Sequence, residues 1–261
     1  MESLDKGSRK IVLFSGGFDS TLVLARLVKE AEEGSTIYAV TIDHNLTGVE
    51  KLRREYESQI LILRELRKQF PKVKINHEII HVASEWISGE AYNSFGLSQP
   101  ILWVCNLIPL LEEKDTIYFG YNHDDAAILF EEDINNLVKA ACRIQEDKTI
   151  YTHYPIKHYS KTMVLKTLIQ EFPYLVEFCI SCESTFYEGE KVCGTCEPCK
   201  NLKQALLNLT LDNEAEEQSK QLLKSLFGIN VSITYDTEDI IEETEAEVAD
   251  EEDYEKDEVV Q

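Results

Sequence analysis

No stretch of this 261-residue chain approaches the ~18 consecutive apolar residues that a membrane span requires. Residues 1–6, Met-Glu-Ser-Leu-Asp-Lys, offer no apolar centre for a secretory signal, so a cytoplasmic protein is expected. Glycine is scarce, at 11 residues, and no heptad pattern is sustained, which excludes collagenous and coiled-coil classes. Positive charge is also short. Lys and Arg number 26 against 48 Asp and Glu, for a net charge of −22. Phosphate contacts need Lys and Arg, so no strong nucleic-acid binding is expected. An anionic ligand must be held by local devices: backbone N–H groups, a few lysines or a metal ion.

Much of the acid sits at one end. Asp236 to Glu258 holds fourteen acidic residues and a single Lys256. Such a segment cannot bury enough apolar surface to offset its ordering entropy. It is expected to be a disordered tail, aiding solubility or docking a basic partner. The whole sequence is 43% hydrophobic, enough for a sizeable core.

Short apolar runs alternate with helical periodicity. Strands are expected at 11–14, 37–42, 75–81 and 117–120, with helices near 21–32, 49–70 and 101–113 between them. The near-continuous apolar strands argue for a parallel sheet covered on both faces. Right-handed crossovers make this a doubly wound α/β fold, with its ligand at the carboxyl ends of the strands, beside Ser15, Asp43 and Tyr121. The pattern then changes. A short helix from Lys161 and helices near 200–209 and 215–226 are expected. The organisation read from this is an α/β domain over 1–150, a helical metal-binding subdomain over 151–230 and the tail over 236–261.

Two motifs carry chemistry. The first is Ser15-Gly16-Gly17-Phe18-Asp19-Ser20-Thr21, set between a strand and a helix. Two glycines let a phosphate approach the backbone, and the N–H groups and dipole of the helix start favour an anion. Ser15, Ser20 and Thr21 add hydroxyls. Asp19 would repel a bare phosphate, so a divalent metal is expected between them. A tight turn with a capping residue is the bland alternative. No Walker loop and no dinucleotide loop is present. The second motif is Cys182 with Cys193-Gly194-Thr195-Cys196-Glu197-Pro198-Cys199. Four thiolates complete a tetrahedral zinc site, and Gly194 permits the knuckle turn. An iron–sulfur cluster is the rival occupant. Cys105, Cys142 and Cys179 read as buried core thiols.

The first motif resembles the pyrophosphate loop of the ATP pyrophosphatases, which split ATP to AMP and pyrophosphate. Two other stretches fit that superfamily. Asp43-His44-Asn45 falls where relatives line the adenine and ribose. Gly120-Tyr121-Asn122-His123-Asp124-Asp125 falls where relatives place an acid near the reacting centre, although Asp124 or Asp125 could equally cap a helix. Together with the cysteines, the loop resembles the 7-cyano-7-deazaguanine synthase family over roughly residues 10 to 210. That family carries Ser-Cys before Cys-Gly-x-Cys-x-x-Cys, matched here at Ser181-Cys182 and Cys193 to Cys199. It also has Pro-Leu-x-x-x-Ser-Lys, matched at Pro155 to Lys161, which would set Lys161 against ATP phosphates.

The resemblance implies ATP, Mg²⁺ and Zn²⁺ as cofactors, and a small carboxylic acid with ammonia or an amine as partners; a homodimer is allowed. It implies catalytic roles for Asp19, Ser20, Lys161 and Asp125, and nucleotide contacts from Ser15, Gly16, Gly17, Phe18, Thr21, Asp43, His44 and Gly120. The reaction would convert 7-carboxy-7-deazaguanine to its nitrile through an acyl-adenylate. Two departures stand out. Leu129-Phe130-Glu131-Glu132-Asp133 occupies the place of the family's Tyr-Pro-Asp-Cys-Arg. Ser98-Gln99-Pro100-Ile101 stands where an arginine–asparagine pair is usual. Adenylation of a different acid, or its conjugation to an amine on a protein or nucleotide, is therefore the alternative. A tRNA thiolase needs a reactive cysteine that zinc would occupy here, and a non-catalytic module could have lost Asp19 or the paired glycines.

Overall fold

The structure is a computed structural model, and it describes residues 8–44, 49–82, 99–146, 148–184, 192–211 and 215–231. The leader 1–7, Ser98 and the acidic tail lie outside these. Five parallel strands form one sheet: β1 (Lys10–Leu13), β2 (Thr36–His44), β3 (Lys74–Val82), β4 (Thr116–Tyr118) and β5 (Tyr151–His153). Their order is β3-β2-β1-β4-β5. The chain thus winds outward from β1 in one direction, returns, and winds outward in the other. This is the doubly wound arrangement, with its switch point between β1 and β4.

Alternation along β1 shows why both faces are covered. Val12 and Phe14 enter one core with helices α1 (Phe18–Lys29) and α2 (Val49–Gln69). Ile11 and Leu13 enter the other, with α3 (Gln99–Leu107) and α4 (Glu131–Glu146). Helix α3 ends earlier than the apolar run suggests, because Pro109 turns the chain into a single 3-10 turn at Ile108–Leu110.

Helix α4 was not expected from the sequence. Ile134, Val138 and Cys142 form its buried stripe. Strand β5 was not expected either, and it pairs with β4 through Ile117 opposite Thr152. A boundary at residue 150 would therefore cut a strand from its sheet. Helices α5 (Lys161–Glu171), α6 (Glu197–Thr210) and α7 (Glu216–Phe227) follow. Their Leu165, Leu206 and Leu223 join Leu22 of α1 and Leu66 of α2 in a single core. The helical part is packed onto the sheet domain.

Helix α2 also departs from expectation. Leu52, Tyr56, Ile60, Leu63 and Leu66 make an apolar stripe by spacing, yet Tyr56 and Ile60 are exposed. Its buried face instead carries Lys51, Arg54, Ser58 and Gln59 beside Ile62, Leu63 and Leu66. Among the described residues, no helix is long and apolar enough to cross a membrane.

Candidate functional site

The loop from Ser15 to Gly17 joins β1 to α1 at the carboxyl edge of the sheet, beside the switch point. Gly16 adopts φ +80°, a left-handed conformation in which a side chain would be strained. A Cβ there would also meet Ser58 Oγ at 2.7 Å. The loop is clamped from outside. Ser58 Oγ donates to Gly16 O at 3.0 Å and is within 2.6 Å of Phe178 O, while Ile180 N–H donates to Gly16 O at 3.1 Å. The Gly16 carbonyl is thus held away from the cleft. Within the loop, Gly17 N–H donates to Ser15 Oγ at 3.3 Å, and the Ser15 and Ser20 hydroxyls lie 3.2 Å apart.

Not every expected loop residue faces a ligand. Phe18 and Thr21 are buried, so the side chains of both belong to the core and not to the loop surface. The Thr21 N–H already bonds Gly17 O as the first α-helical turn closes. Gly120 acts as a spacer: a Cβ would meet Ser20 N and Cα at 2.9 Å, so its glycine lets α1 lie directly on the strand end. Tyr121 turns from the site and stacks on Phe119, with ring centroids 5.5 Å apart. Burial pushes its phenol well above the ordinary range.

At the α1 N-terminus, the structure brings together residues distant in sequence. Asp19 Oδ1 accepts from Asn122 Nδ2 at 2.8 Å, and Asp19 Oδ2 pairs with Lys161 Nζ. Both charged side chains are less than one-fifth exposed, at 19% and 16%. Lys161 is the first residue of α5, capped by Ser160, whose Oγ accepts from Met163 N–H. Its backbone N–H donates to Asp124 Oδ2 at 2.7 Å, and its ammonium lies 5.8 Å from the Phe18 ring centre. Asp125 Oδ2 accepts from Asn122 N–H at 2.8 Å. Burial, reinforced by the Asp19 charge, pushes the Asp125 carboxyl up to about 6. Neither acid caps the 3-10 turn at Ala126–Phe130 by its side chain; Asp125 takes that position without a capping bond, and Asp124 holds α5.

Asn122 was missed by sequence reasoning, although it ties Asp19, Asp124 and Asp125 together from a 2% exposed position. A cleft of about 280 Å³ opens beside these residues, lined also by Asn201, Gln204 and Asn208 of α6. The divalent metal expected at Asp19 would have to take the place of the Lys161 contact. Both carboxylate oxygens already have partners, and Lys161 supplies the positive charge.

Asp43 and His44 end β2. Asp43 Oδ2 contacts His81 Nδ1 at 2.8 Å at the neighbouring strand end, and its buried Oδ1 has no hydrogen-bond partner among the described residues. The His44 side chain lies outside the described residues. The segment Leu129–Asp133 is not a loop lining. Leu129 and Phe130 are exposed, and Glu131, Glu132 and Asp133 form the first turn of α4, where acids suit the helix dipole. Glu131 pairs with Lys157 at 3.0 Å.

The sulfurs of Cys182, Cys193, Cys196 and Cys199 all lie within 4.8 Å of one another. With metal–sulfur bonds of about 2.3 Å, a tetrahedral site has edges of about 3.8 Å. The Cys193 and Cys199 sulfurs are 4.0 Å apart. A four-iron cube would spread its cysteines farther, since each binds a different iron. Gly194 turns the knuckle at φ +72°. Burial raises the Cys193 thiol, but hydrogen bonds from Thr195 Oγ1 and the Cys196 N–H outweigh it and lower the thiol to about 5. Cys142 and Cys179 are core thiols as expected, whereas Cys105 is exposed. Burial holds the Cys179 thiol up at about 12.

No protein-family model matches the chain, and no curated protein matches it. Among solved structures, it is similar to the U34-tRNA thiolase NcsA from Methanococcus maripaludis, solved with its 4Fe-4S cluster. That likeness has 14% identity and a TM-score of 0.40, covering 87% of this chain and 76% of the other. It is also similar to NMN synthetase from Francisella tularensis, with 11% identity and a TM-score of 0.38, covering 85% and 87%.

Proposed function

We propose that the chain is an ATP-dependent enzyme that cleaves ATP between the α and β phosphates to activate a carboxylate. The observation that carries this is the Asp19–Lys161–Asn122–Asp125 cluster, which sits on the N-terminus of α1 beside the clamped glycine loop. The loop N–H groups and the helix end would bind phosphate oxygens. Lys161 would pass from Asp19 to the phosphates as they arrive, with Mg²⁺ carried in on ATP. Asp125, titrating near 6, could take the proton that ammonia gives up when it attacks the adenylate.

The candidate acid is 7-carboxy-7-deazaguanine. Its carboxylate oxygen would attack the α-phosphorus and expel pyrophosphate. Ammonia would then displace AMP to give the amide, and a second ATP would activate the amide oxygen for loss to the nitrile. A specific observation favours a second reading. Segment 129–133 supplies acids at a helix start where the resemblance calls for an arginine. The activated acid would then be a different one, or would be conjugated to an amine on a larger molecule.

The four cysteines would hold one structural zinc, as their spacing and closed donor set support. The decisive experiment incubates the full chain with ATP, Mg²⁺, ammonium and candidate acids, and follows pyrophosphate together with product mass. Release of ADP and phosphate instead would refute the proposal.

A further inference from the structure

The glycine loop and the cysteine site are joined by one short stretch of chain. Residues 179–184 follow the 3-10 turns of Pro173–Phe178 and form no helix or strand. The start of the stretch is pressed on the loop. Ile180 N–H donates to Gly16 O at 3.1 Å, and Ile180 O stands where a Cβ on Gly17 would meet it at 3.3 Å. Two residues on, Cys182 is buried and is one of the four clustered sulfurs.

The ordinary role of such a cluster is to staple, and α6, which begins at Glu197 inside the knuckle, is stapled in that way. Three observations argue for more. Cys182 is the one member of the four that comes from outside the Cys193–Cys199 knuckle. Upstream of Ile180, Leu175 and Val176 are anchored in the core, but downstream no N–H of residues 181–184 meets a backbone carbonyl among the described residues. There the stretch is held by Arg54, which donates to Ser184 O at 2.7 Å, and by the Cys182 sulfur. Thiols are weak donors and weak acceptors and fix a chain poorly, whereas thiolates on one zinc are fixed at every ligand. Lastly, Ile180 and Ser58 hold the Gly16 carbonyl away from the cleft. Turned toward the cleft, that oxygen would oppose an anion.

We propose that metal occupancy of the cysteine site sets the glycine loop. Zinc on Cys182 holds Ile180 against Gly16, keeps the loop N–H groups turned to the cleft and raises the affinity for nucleotide phosphate. Nucleotide in turn raises the affinity for zinc by the same factor. In the zinc-free chain the stretch after Ile180 loses its hold, Gly16 O loses a donor and the peptide is free to turn. This rests on the ATP-dependent reading above.

The test uses the full chain and reads binding and amide exchange. ATP with Mg²⁺ is titrated by calorimetry into zinc-loaded protein and into protein stripped by a chelator, and stripping should weaken ATP about tenfold. Ile180→Pro deletes the N–H that reaches Gly16 and leaves all four cysteines in place. Cys179, before it, sits at φ −69° and ψ 144°, a conformation that a following proline allows. This variant should keep its zinc, bind ATP about tenfold more weakly when loaded, and lose less than about twofold more on stripping. Should it fold poorly, hydrogen exchange on wild type carries the test: stripping should speed the Gly16 to Asp19 amides about tenfold and leave Val12 and Leu13 of β1 unchanged. Equal ATP affinity with and without zinc, or unchanged exchange in the loop, overturns the coupling and leaves the ATP reading intact. A zinc dependence that survives in full in Ile180→Pro, or protection lost throughout the chain on stripping, means that zinc serves folding alone and also overturns it. Failure of zinc-loaded wild type to bind ATP overturns both readings.

Discussion

Replacing Lys161 with Met removes the charge that balances Asp19 and keeps a side chain of similar length. In the native site the ammonium contacts one carboxylate oxygen and Asn122 the other, with both charged groups less than one-fifth exposed. At an effective dielectric of 20, two unit charges at such range attract by about 4 kcal/mol. Removing one member of a buried pair typically costs about 3–5 kcal/mol, since the remaining charge is left buried. The site opens on a cleft, so about 2–3 kcal/mol is expected at pH 8, a fall in Tm of roughly 5–10 °C for a chain of this size. The loss should shrink in acid. Lys161 counteracts the upward push on Asp125, so without it Asp125 takes up its proton above about 6 and relieves the repulsion with Asp19. Asp19→Asn combined with Lys161→Met should recover most of the loss, giving a coupling of about 2 kcal/mol in a double-mutant cycle. Urea denaturation at pH 5 to 8 measures all four proteins. An additive cycle, or a Lys161→Met protein as stable as wild type at pH 8, would show that this pair is ornamental.

Gly120→Ala forces a Cβ against Ser20 backbone atoms at 2.9 Å, and should destabilise by about 1–3 kcal/mol through displacement of α1. An unchanged Tm would mean the strand end and the helix are not in contact. Cys196→Ser should lose the metal, about one ion per chain, and soluble expression with it; elemental analysis finding iron without zinc in anaerobically purified protein would contradict the single-ion geometry. Asp125→Asn tests the raised carboxyl. A folded value near 6, above the ordinary 3.8, means the ionised form opposes folding. That penalty is absent below about 3.8 and complete above about 6, so the variant's Tm should gain on wild type as pH rises from 4 to 7. A constant difference over that range would remove the basis for assigning it a proton-transfer role.

The parts legible in the sequence are those with dense local signals. The glycine loop lies between a continuous apolar strand and a periodic helix, and the four cysteines fall within eighteen residues. Strand β5 could not be read that way, being three residues long with no buried position. Helix α4 was readable in principle, since Ile134, Val138 and Cys142 repeat every four residues, but its charged start at Glu131 resembled a loop. Lys51 and Ser58 were hidden for a different reason. On a helix read by its apolar residues, buried polar side chains look like the solvent face, and only the packed molecule shows that they point inward. Asn122 gave no signal beyond its place after β4, because its partners are Asp19, 103 residues upstream, and Asp124 and Asp125 just after it in the same turn.

The clamp on Gly16 has a temporal consequence. The loop is made early in synthesis, yet Phe178 and Ile180, which share in fixing its peptide, come far later in the chain. A ribosome-bound chain ending near residue 150 would have β1, α1 and their glycines, but not the brace that sets them. The glycine loop is therefore fixed only when the segment leading into the cysteine knuckle has docked. A half-made chain would hold an unset loop and no Lys161, so Asp19 would stand without its ion partner until the second half existed.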